Sequence, residues 1–439
     1  MIVKKIGIIG LGNVGEETVR SLRKHSSLIT QRTSLKIEIR GLCDKKKEKS
    51  KIASKFSLPF TSSAFELIND PQIDIIVELM GGITPARTFI IEALKKGKNV
   101  VTANKALLAE YGEDIFAVAK EKGKVVGFEA SVCGAIPLIK SISAGLVSCE
   151  IKKLYGILNG TTNYILYKMG KEKIDFFSAL REAQNKGLAE KRTFLDIEGI
   201  DSLHKLCILS YLCFGVWPSH KSVYTEGISK ISLLDIFYTQ ELNYRIKLLA
   251  IAKKEKNILD LRVHPTLIPV GHPLAETPSI YNAVYLDTHP AGELLFYGEG
   301  AGGISTSSSV ISDIVGIALN SFTPPFYQGL QACRVNNKGI LKRKQEVVFQ
   351  SIKDVKTRYY IRFIAQDEPG VLTKISRILA SLNISIASVT QKERKKGKFV
   401  PIVMITHQAG EGNIRRALCK IDKLSVIKSP SQVIRIEDL

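Results

Sequence analysis

The sequence lacks any apolar run approaching the roughly 18 residues that a membrane-crossing helix needs, and its 439 residues contain no Cys-x-x-Cys pair. The first absence argues against a chain that spans a membrane on helices. Its opening, Met1-Ile-Val-Lys-Lys-Ile-Gly-Ile-Ile-Gly10, is too short and too glycine-punctuated for a secretory signal and reads as a first strand. The cysteines, at 43, 133, 149, 207, 213, 333 and 419, are odd in number and scattered, which argues against a disulfide framework or a zinc site. A reducing cytoplasm fits that pattern. Seven dispersed histidines, none at a metal-binding helical spacing, give no reason to expect a transition metal. Acidic residues are also scarce, 42 against 63 Lys and Arg, for a net charge of +21. Dense basic runs occur only at 45–51 and 392–398, without interleaved aromatics, so a lysine-rich solvated surface accounts for the charge better than a nucleic-acid partner.

What is present suits two or three domains with sizeable cores, at 45% hydrophobic composition. The strand Lys4–Ile9 runs into Gly10-Leu-Gly12-Asn13-Val14-Gly15 and then a helix opening. At a first strand-to-helix turn such a loop lets the backbone approach a pyrophosphate while the helix N-terminus supplies partial positive charge, so Gly10, Gly12, Asn13, Val14 and Gly15 are candidate dinucleotide ligands. An acid is expected at the end of the second strand, and Asp44 stands there. It favours NAD through the ribose hydroxyls, whereas Lys45, Lys46 and Lys47 directly behind it could hold the 2′-phosphate of NADP. Both cofactors stay open.

Further alternation predicts a doubly wound, Rossmann-type sheet: strand Ile73 to Leu79, helix Arg87 to Lys96, strand Asn99 to Thr102, helix Lys105 to Lys122 and strand Lys124 to Phe128. Ligands of such sheets gather at the carboxyl ends of the strands. Gly81-Gly82, Thr102-Ala-Asn104-Lys105 and Glu129 fall there, and Lys105, opening a helix, is a candidate for cofactor or substrate.

Carboxylates and one helical lysine concentrate in Gly187-Leu-Ala-Glu190-Lys-Arg-Thr-Phe-Leu-Asp196-Ile-Glu198-Gly-Ile-Asp201-Ser-Leu-His-Lys205. Asp201 and Lys205 are helical neighbours at i,i+4. The plain reading is a solvated ion pair worth a few tenths of a kcal/mol, about 0.3. The functional reading is a substrate pocket, in which Glu190, Asp196 and Asp201 grip an ammonium while Lys205 serves a reacting oxygen.

Taken together, the glycine loop, VTANKALLA at 101–109, EASVCGAIP at 129–137, GILNGTTNYIL at 156–166 and the 187–205 stretch resemble the homoserine dehydrogenase family over about residues 1–320. The resemblance implies NAD(P)-dependent interconversion of L-homoserine and L-aspartate 4-semialdehyde. It implies that Lys205 is the proton donor to the carbonyl oxygen, with Lys105 beside it contacting cofactor and substrate. Glu190 and Asp201 would bind the homoserine moiety, with Asp196 assisting. It further implies a sodium ion held by the Glu129 carboxylate and the backbone carbonyls of Val132, Gly134 and Ile136. Gly303, in a segment returning to the cofactor, joins the cofactor set, and a helix is expected over Ser308 to Asn320. Ser305-Thr306 stands where the family commonly has Pro-Thr. Cys133 could be read as a nucleophile; without an accompanying histidine pattern it reads as a small packing residue.

Strand-like text at 261–269, 281–287 and 292–298 suggests an antiparallel sheet, which in the resembled family forms the subunit interface of a homo-oligomer. Beyond a polar linker at 321–355, residues 356–439 read strand, helix, strand, strand, helix, strand, with Asp367-Glu-Pro-Gly370-Val-Leu at the first turn. This βαββαβ pattern resembles an ACT domain, implying either control by an amino acid, threonine being the expectation, or dimerisation alone. The expected organisation is therefore a dinucleotide-binding domain at 1–130 with a returning helix near 300–320, an α+β catalytic and dimerisation domain at 131–320, the linker, and the ACT-like domain. The rival from another class is a sensor of dinucleotide and amino acid that has lost catalysis, for which Lys105, Glu190, Asp201 and Lys205 together would be unnecessary.

Overall fold

The computed structural model describes residues 1–189, 193–321, 347–392 and 397–439. The chain divides into two compact units, Met1–Lys153 with Asp201–His220 and Tyr281–Glu346, and Leu154–Ile200 with Lys221–Ile280 and Val347–Leu439. Among the described residues no helix is long and apolar enough to cross a membrane.

In the first unit, β1 (Ile2–Ile9), β2 (Leu35–Cys43), β3 (Phe60–Thr61), β4 (Ile75–Glu78), β5 (Asn99–Thr102) and β6 (Val126–Gly127) form one sheet in the order β3-β2-β1-β4-β5-β6. Every pairing is parallel. The strands read as apolar runs because both faces are covered, and all four residues of β4 are buried. Strand order reverses at β1, which opens a crevice at the carboxyl ends of β1 and β4. The doubly wound Rossmann-type sheet predicted from alternation is therefore present. A helix at Gly303–Ala318 returns to this sheet and adds Val310, Ile314 and Ile317 to the core around Ile6, Ile8 and Val19. It begins at Gly303, before the expected Ser308, and its first serine hydroxyls bond back along the chain. Ser305 donates to the Ala301 carbonyl, Ser307 to Ile304 and Ser308 to Ser305.

The second unit holds helices at Gly160–Glu172, Phe176–Asn185 and Leu233–Glu241. Strands Tyr244–Glu255 and Ile258–Pro269 pair antiparallel along their whole length. The first of these was not legible, since Lys and Ala are poor strand formers, yet Ile246 to Ala252 are all buried. The C-terminal module is the expected βαββαβ: strands Lys356–Gln366, Ile386–Thr390, Phe399–Thr406 and Gln432–Ile436, with helices Val371–Ala380 and Glu411–Ile421. Val371, Ile375 and Leu379 recur every four residues and pack with Ile414, Leu418 and Ile421 over the sheet. The closing strand also pairs in parallel with the hairpin strand, at Thr266 with Arg435 and Leu267 with Ile436. Of the stretch expected to be a linker, residues 322–346 lie outside the described residues, while Val348-Phe349 pairs with Ile258-Leu259.

Charged side chains tie the module down. Asp235 caps the helix Leu233–Glu241 with Ser232 and also accepts both Arg362 Nε, at 2.7 Å, and Arg362 Nη2, at 3.0 Å. Arg262, 2% exposed, lies between Asp260 at 2.9 Å and Glu437 at 3.0 Å. Such a buried charge is tolerable only with its partners in place.

Candidate active site

Gly10 takes φ +96°, and a Cβ there would lie 2.6 Å from the Met80 backbone; one at Gly15 would lie 2.0 Å from the Gly10 carbonyl oxygen. Neither position admits a side chain. Over Gly12 the space is open, at the N-terminus of the helix Asn13–Lys24, which is where a phosphate would approach. The Asp44 carboxylate accepts the Leu11 amide at 2.7 Å and the Lys46 amide at 2.9 Å, so it fixes the glycine loop to the end of β2. Gly303 packs within van der Waals reach of Asn13, at 3.2 Å from its carbonyl to an ideal Cβ.

One carboxylate in this crevice escaped the sequence reading. Glu78 ends β4 fully buried, accepting the Met80 amide at 2.9 Å and the Thr102 hydroxyl at 2.7 Å. Burial pushes its carboxyl above the usual range, against those hydrogen bonds. The signal was available: an acid ending the run Ile-Ile-Val. The Thr102 hydroxyl in turn accepts the Asn104 amide, and the Asn104 side chain donates to Gly82 and caps the next helix at Leu107.

That cap sets Lys105 on the first turn of the helix Lys105–Glu121, and its ammonium reaches Asp201 Oδ1 at 2.7 Å. Lys205 reaches Oδ2 of the same carboxylate at 2.8 Å from one turn along the helix Ile200–Phe214. Asp201 and Lys205 are 7% and 8% exposed and Lys105 42%, so the solvated-pair reading fails and the group is a buried carboxylate bridging two ammoniums. Burial alone would raise the Asp201 carboxyl, but Lys205 and Lys105 hold it well below the usual range. Lys105, Asp201 and Lys205 are thus brought together within one unit. Asp196, in the other unit, accepts the Asn159 side chain at 2.7 Å, and Asn159 also caps the helix Gly160–Glu172. Glu190 lies outside the described residues.

Glu129 is 1% exposed, and its carboxylate accepts the Ile139 amide at 2.7 Å and the Lys140 amide at 2.9 Å. Burial, then the Asp313 carboxylate, push it up to about 7, and burial pushes Asp313 up to about 6. Asp313 accepts the Glu129 amide at 2.8 Å. The Gly134 carbonyl accepts the Ser309 hydroxyl at 2.6 Å and the Ile136 carbonyl accepts the Leu138 amide at 2.7 Å. Val132, the remaining member of that set, is fully buried. Cys133 is buried, and burial pushes its thiol up, away from the nucleophilic thiolate.

Three family models match the chain: homoserine dehydrogenase, NAD binding domain, over residues 10–129; homoserine dehydrogenase over 137–315; and ACT domain over 359–423. A homoserine dehydrogenase of Neisseria gonorrhoeae is 39% identical over 435 residues, covering 99% of this chain and 98% of the relative. The chain belongs to the homoserine dehydrogenase family. A crystal structure of a homoserine dehydrogenase from Thiobacillus denitrificans matches with a TM-score of 0.89 at 40% identity, over 99% of this chain and 98% of that one. A hyperthermophilic archaeal homoserine dehydrogenase in complex with NADPH matches at 25% identity and a TM-score of 0.63, covering 74% of this chain and all of that one. As a homoserine dehydrogenase, the chain is an oxidoreductase with a nicotinamide dinucleotide cofactor and a C-terminal ACT domain. Nothing favours an inactive sensor.

Proposed function

We propose that the enzyme interconverts L-homoserine and L-aspartate 4-semialdehyde, with Lys205 carrying the proton at the reacting oxygen. The observation that carries this is the Lys105–Asp201–Lys205 group, a buried carboxylate flanked by two ammoniums 2.7 and 2.8 Å away. In the oxidative direction the hydroxyl proton passes to the Lys205 nitrogen. In the reductive direction its ammonium returns a proton to the oxygen as negative charge develops there. Asp201 holds Lys205 in place and offsets its charge, and Lys105 adds positive charge beside the same oxygen. The nicotinamide, when bound, supplies or accepts the hydride. Asp201, Glu190 and Asp196 are the proposed substrate ligands. Gly10, Gly12, Asn13, Val14, Gly15, Asp44, Lys105 and Gly303 are the proposed cofactor contacts. The working domain limits are near 130, 320 and 355.

The deciding assay follows absorbance with homoserine plus NAD or NADP in parallel; no turnover with either, despite nucleotide binding, would sink the reading. The same assay addresses the cofactor. Asp44 supports NAD and the following lysines support NADP, so Asp44→Ser is expected to raise the NADP-to-NAD ratio of kcat/KM by about tenfold. An unchanged ratio would remove Asp44 from ribose recognition.

A sodium ion is proposed at the Glu129 carboxylate and the carbonyls of Val132, Gly134 and Ile136. The donors are all oxygen, and a cation would offset the crowding of Glu129 and Asp313, which suits a hard ion. Replacing sodium by choline at constant ionic strength should lower the thermal midpoint of the wild type and leave Glu129→Gln unmoved; equal midpoints in the wild type would end the proposal. Threonine is the proposed ligand of the ACT domain, and the scattered free cysteines support a cytoplasmic setting. A homo-oligomer is proposed as well, supported by Leu295 and Tyr297 exposed on alternate positions of the strand Gly292–Glu299; light scattering at the monomer mass would refute it.

A further inference from the structure

On the strand Tyr244–Glu255, Lys247 is 4% exposed, and its ammonium donates to two uncharged acceptors, Asn163 Oδ1 at 2.9 Å and the Thr277 carbonyl at 2.5 Å. Burial pushes that ammonium down to about 8, so the fold carries a desolvation cost here that an apolar residue would avoid. What the ammonium holds is the first turn of the helix Gly160–Glu172. With its oxygen on Lys247, the buried Asn163 amide can face only one way. Its nitrogen donates to the carbonyls of Thr277 at 3.3 Å, Pro278 at 3.4 Å and Ser279 at 2.9 Å. A Cβ on Gly160 would lie 2.6 Å from the Ile280 carbonyl oxygen, so the same turn is pressed against the segment 277–280.

The other side of this turn holds both ends of the substrate stretch. The Thr161 hydroxyl donates to the Leu188 carbonyl at 2.9 Å, and the Asn159 side chain donates to Asp196 at 2.7 Å. The chain from 188 to 196, which includes Glu190, is therefore tethered at each end to the five consecutive residues 159–163. We infer that Lys247 is a positioning residue for the reaction: through Asn163 it fixes the turn 159–163, and that turn sets where Glu190 and Asp196 meet the substrate. The inference rests on the reading of those two carboxylates as substrate ligands. Lys247 acts through the turn and not on the reacting atoms, so its loss should show in substrate binding more than in the chemical step. A cavity of about 290 Å³ reaches Lys247 and Thr277 from the exposed Lys171 and Glu276, which gives a small solute a way to the ammonium's place.

The test compares Lys247→Met and Lys247→Ala with wild type as full-length enzymes, assayed with homoserine well below each variant's thermal midpoint. Both should raise KM for homoserine by at least about tenfold, while kcat stays within about threefold and KM for the nucleotide within about twofold. Propylammonium, which replaces the atoms that Lys247→Ala removes, should lower the raised KM of that variant by about fivefold; tetramethylammonium, which has the charge but no N–H, should not. A lowered thermal midpoint with KM unmoved would make Lys247 a support of the fold alone and overturn the inference. Glu190→Ala and Asp196→Ala separate it from the reading beneath it. If either raises KM and the Lys247 variants do not, the substrate stretch stands and the role of Lys247 falls. If neither raises KM, the reading of the stretch falls and takes the inference with it. Should neither Lys247 variant fold, Thr161→Val, which cuts only the tie to Leu188, must show the same change confined to KM, and an unmoved KM there overturns the proposal.

Discussion

Lys205→Ala is expected to lower kcat for homoserine oxidation by about a thousandfold, the middle of the range for loss of a general acid or base. The ammonium is 8% exposed and fixed by Asp201 at 2.8 Å, so water cannot readily take its place at the reacting oxygen. Cofactor affinity, followed by the fluorescence of bound reduced nucleotide, should stay near wild type, because the glycine loop and Asp44 are held by their own backbone contacts. Lys105→Ala should cost less in kcat, since that side chain is 42% exposed and water can fill part of its role. Turnover of Lys205→Ala within about tenfold of wild type would remove Lys205 from the proton step.

The second large effect concerns Asp201. Asp201→Asn leaves two ammoniums converging on a neutral amide, one of them buried, and should destabilise the first unit by about 3 kcal/mol, the low end for breaking a buried pair because the Lys105 share is solvent-screened. Trp217, the one tryptophan, stacks on Tyr211 at 4.4 Å against this same helix, so urea unfolding read by its fluorescence reports on the right region. The pH dependence has a definite sign. The folded carboxyl sits below its ordinary value, so its contribution is complete above the unfolded pKa, about 4, and is lost only as pH falls through the lower folded value. The difference between wild type and Asp201→Asn should therefore be flat from about pH 5 to 8 and close only in stronger acid. A difference that vanished near neutrality would contradict the assigned charge state.

Much of this architecture could be read from the residues, for identifiable reasons. The parallel sheet was legible because its strands are short apolar runs punctuated by glycine, and the ACT module because Val371, Ile375 and Leu379 keep a helical period. Tyr244–Glu255 was hidden by lysines at its ends and alanines within. The returning helix starts earlier than expected, and its first serine hydroxyls bond back along the chain. In the site, the i,i+4 spacing of Asp201 and Lys205 showed that they could meet, but neither the burial of the pair nor the sharing of its carboxylate with Lys105, almost a hundred residues earlier, follows from spacing; only the family resemblance set Lys105 beside Lys205. Burial is decided by packing partners remote in sequence. For the same reason Glu78 passed as an ordinary strand end.

The closing strand Gln432–Ile436 has one further consequence, for what kind of unit the ACT domain can be. Because that strand is laid against Thr266 and Leu267, and Glu437 just beyond it neutralises Arg262, cutting the chain before the ACT domain would not release a free-standing dehydrogenase. It would bare a sheet edge and strand a guanidinium in the interior. Residues 432–437 are thus part of the foundation of the second unit. Removing the domain would first require rebuilding the hairpin beneath it.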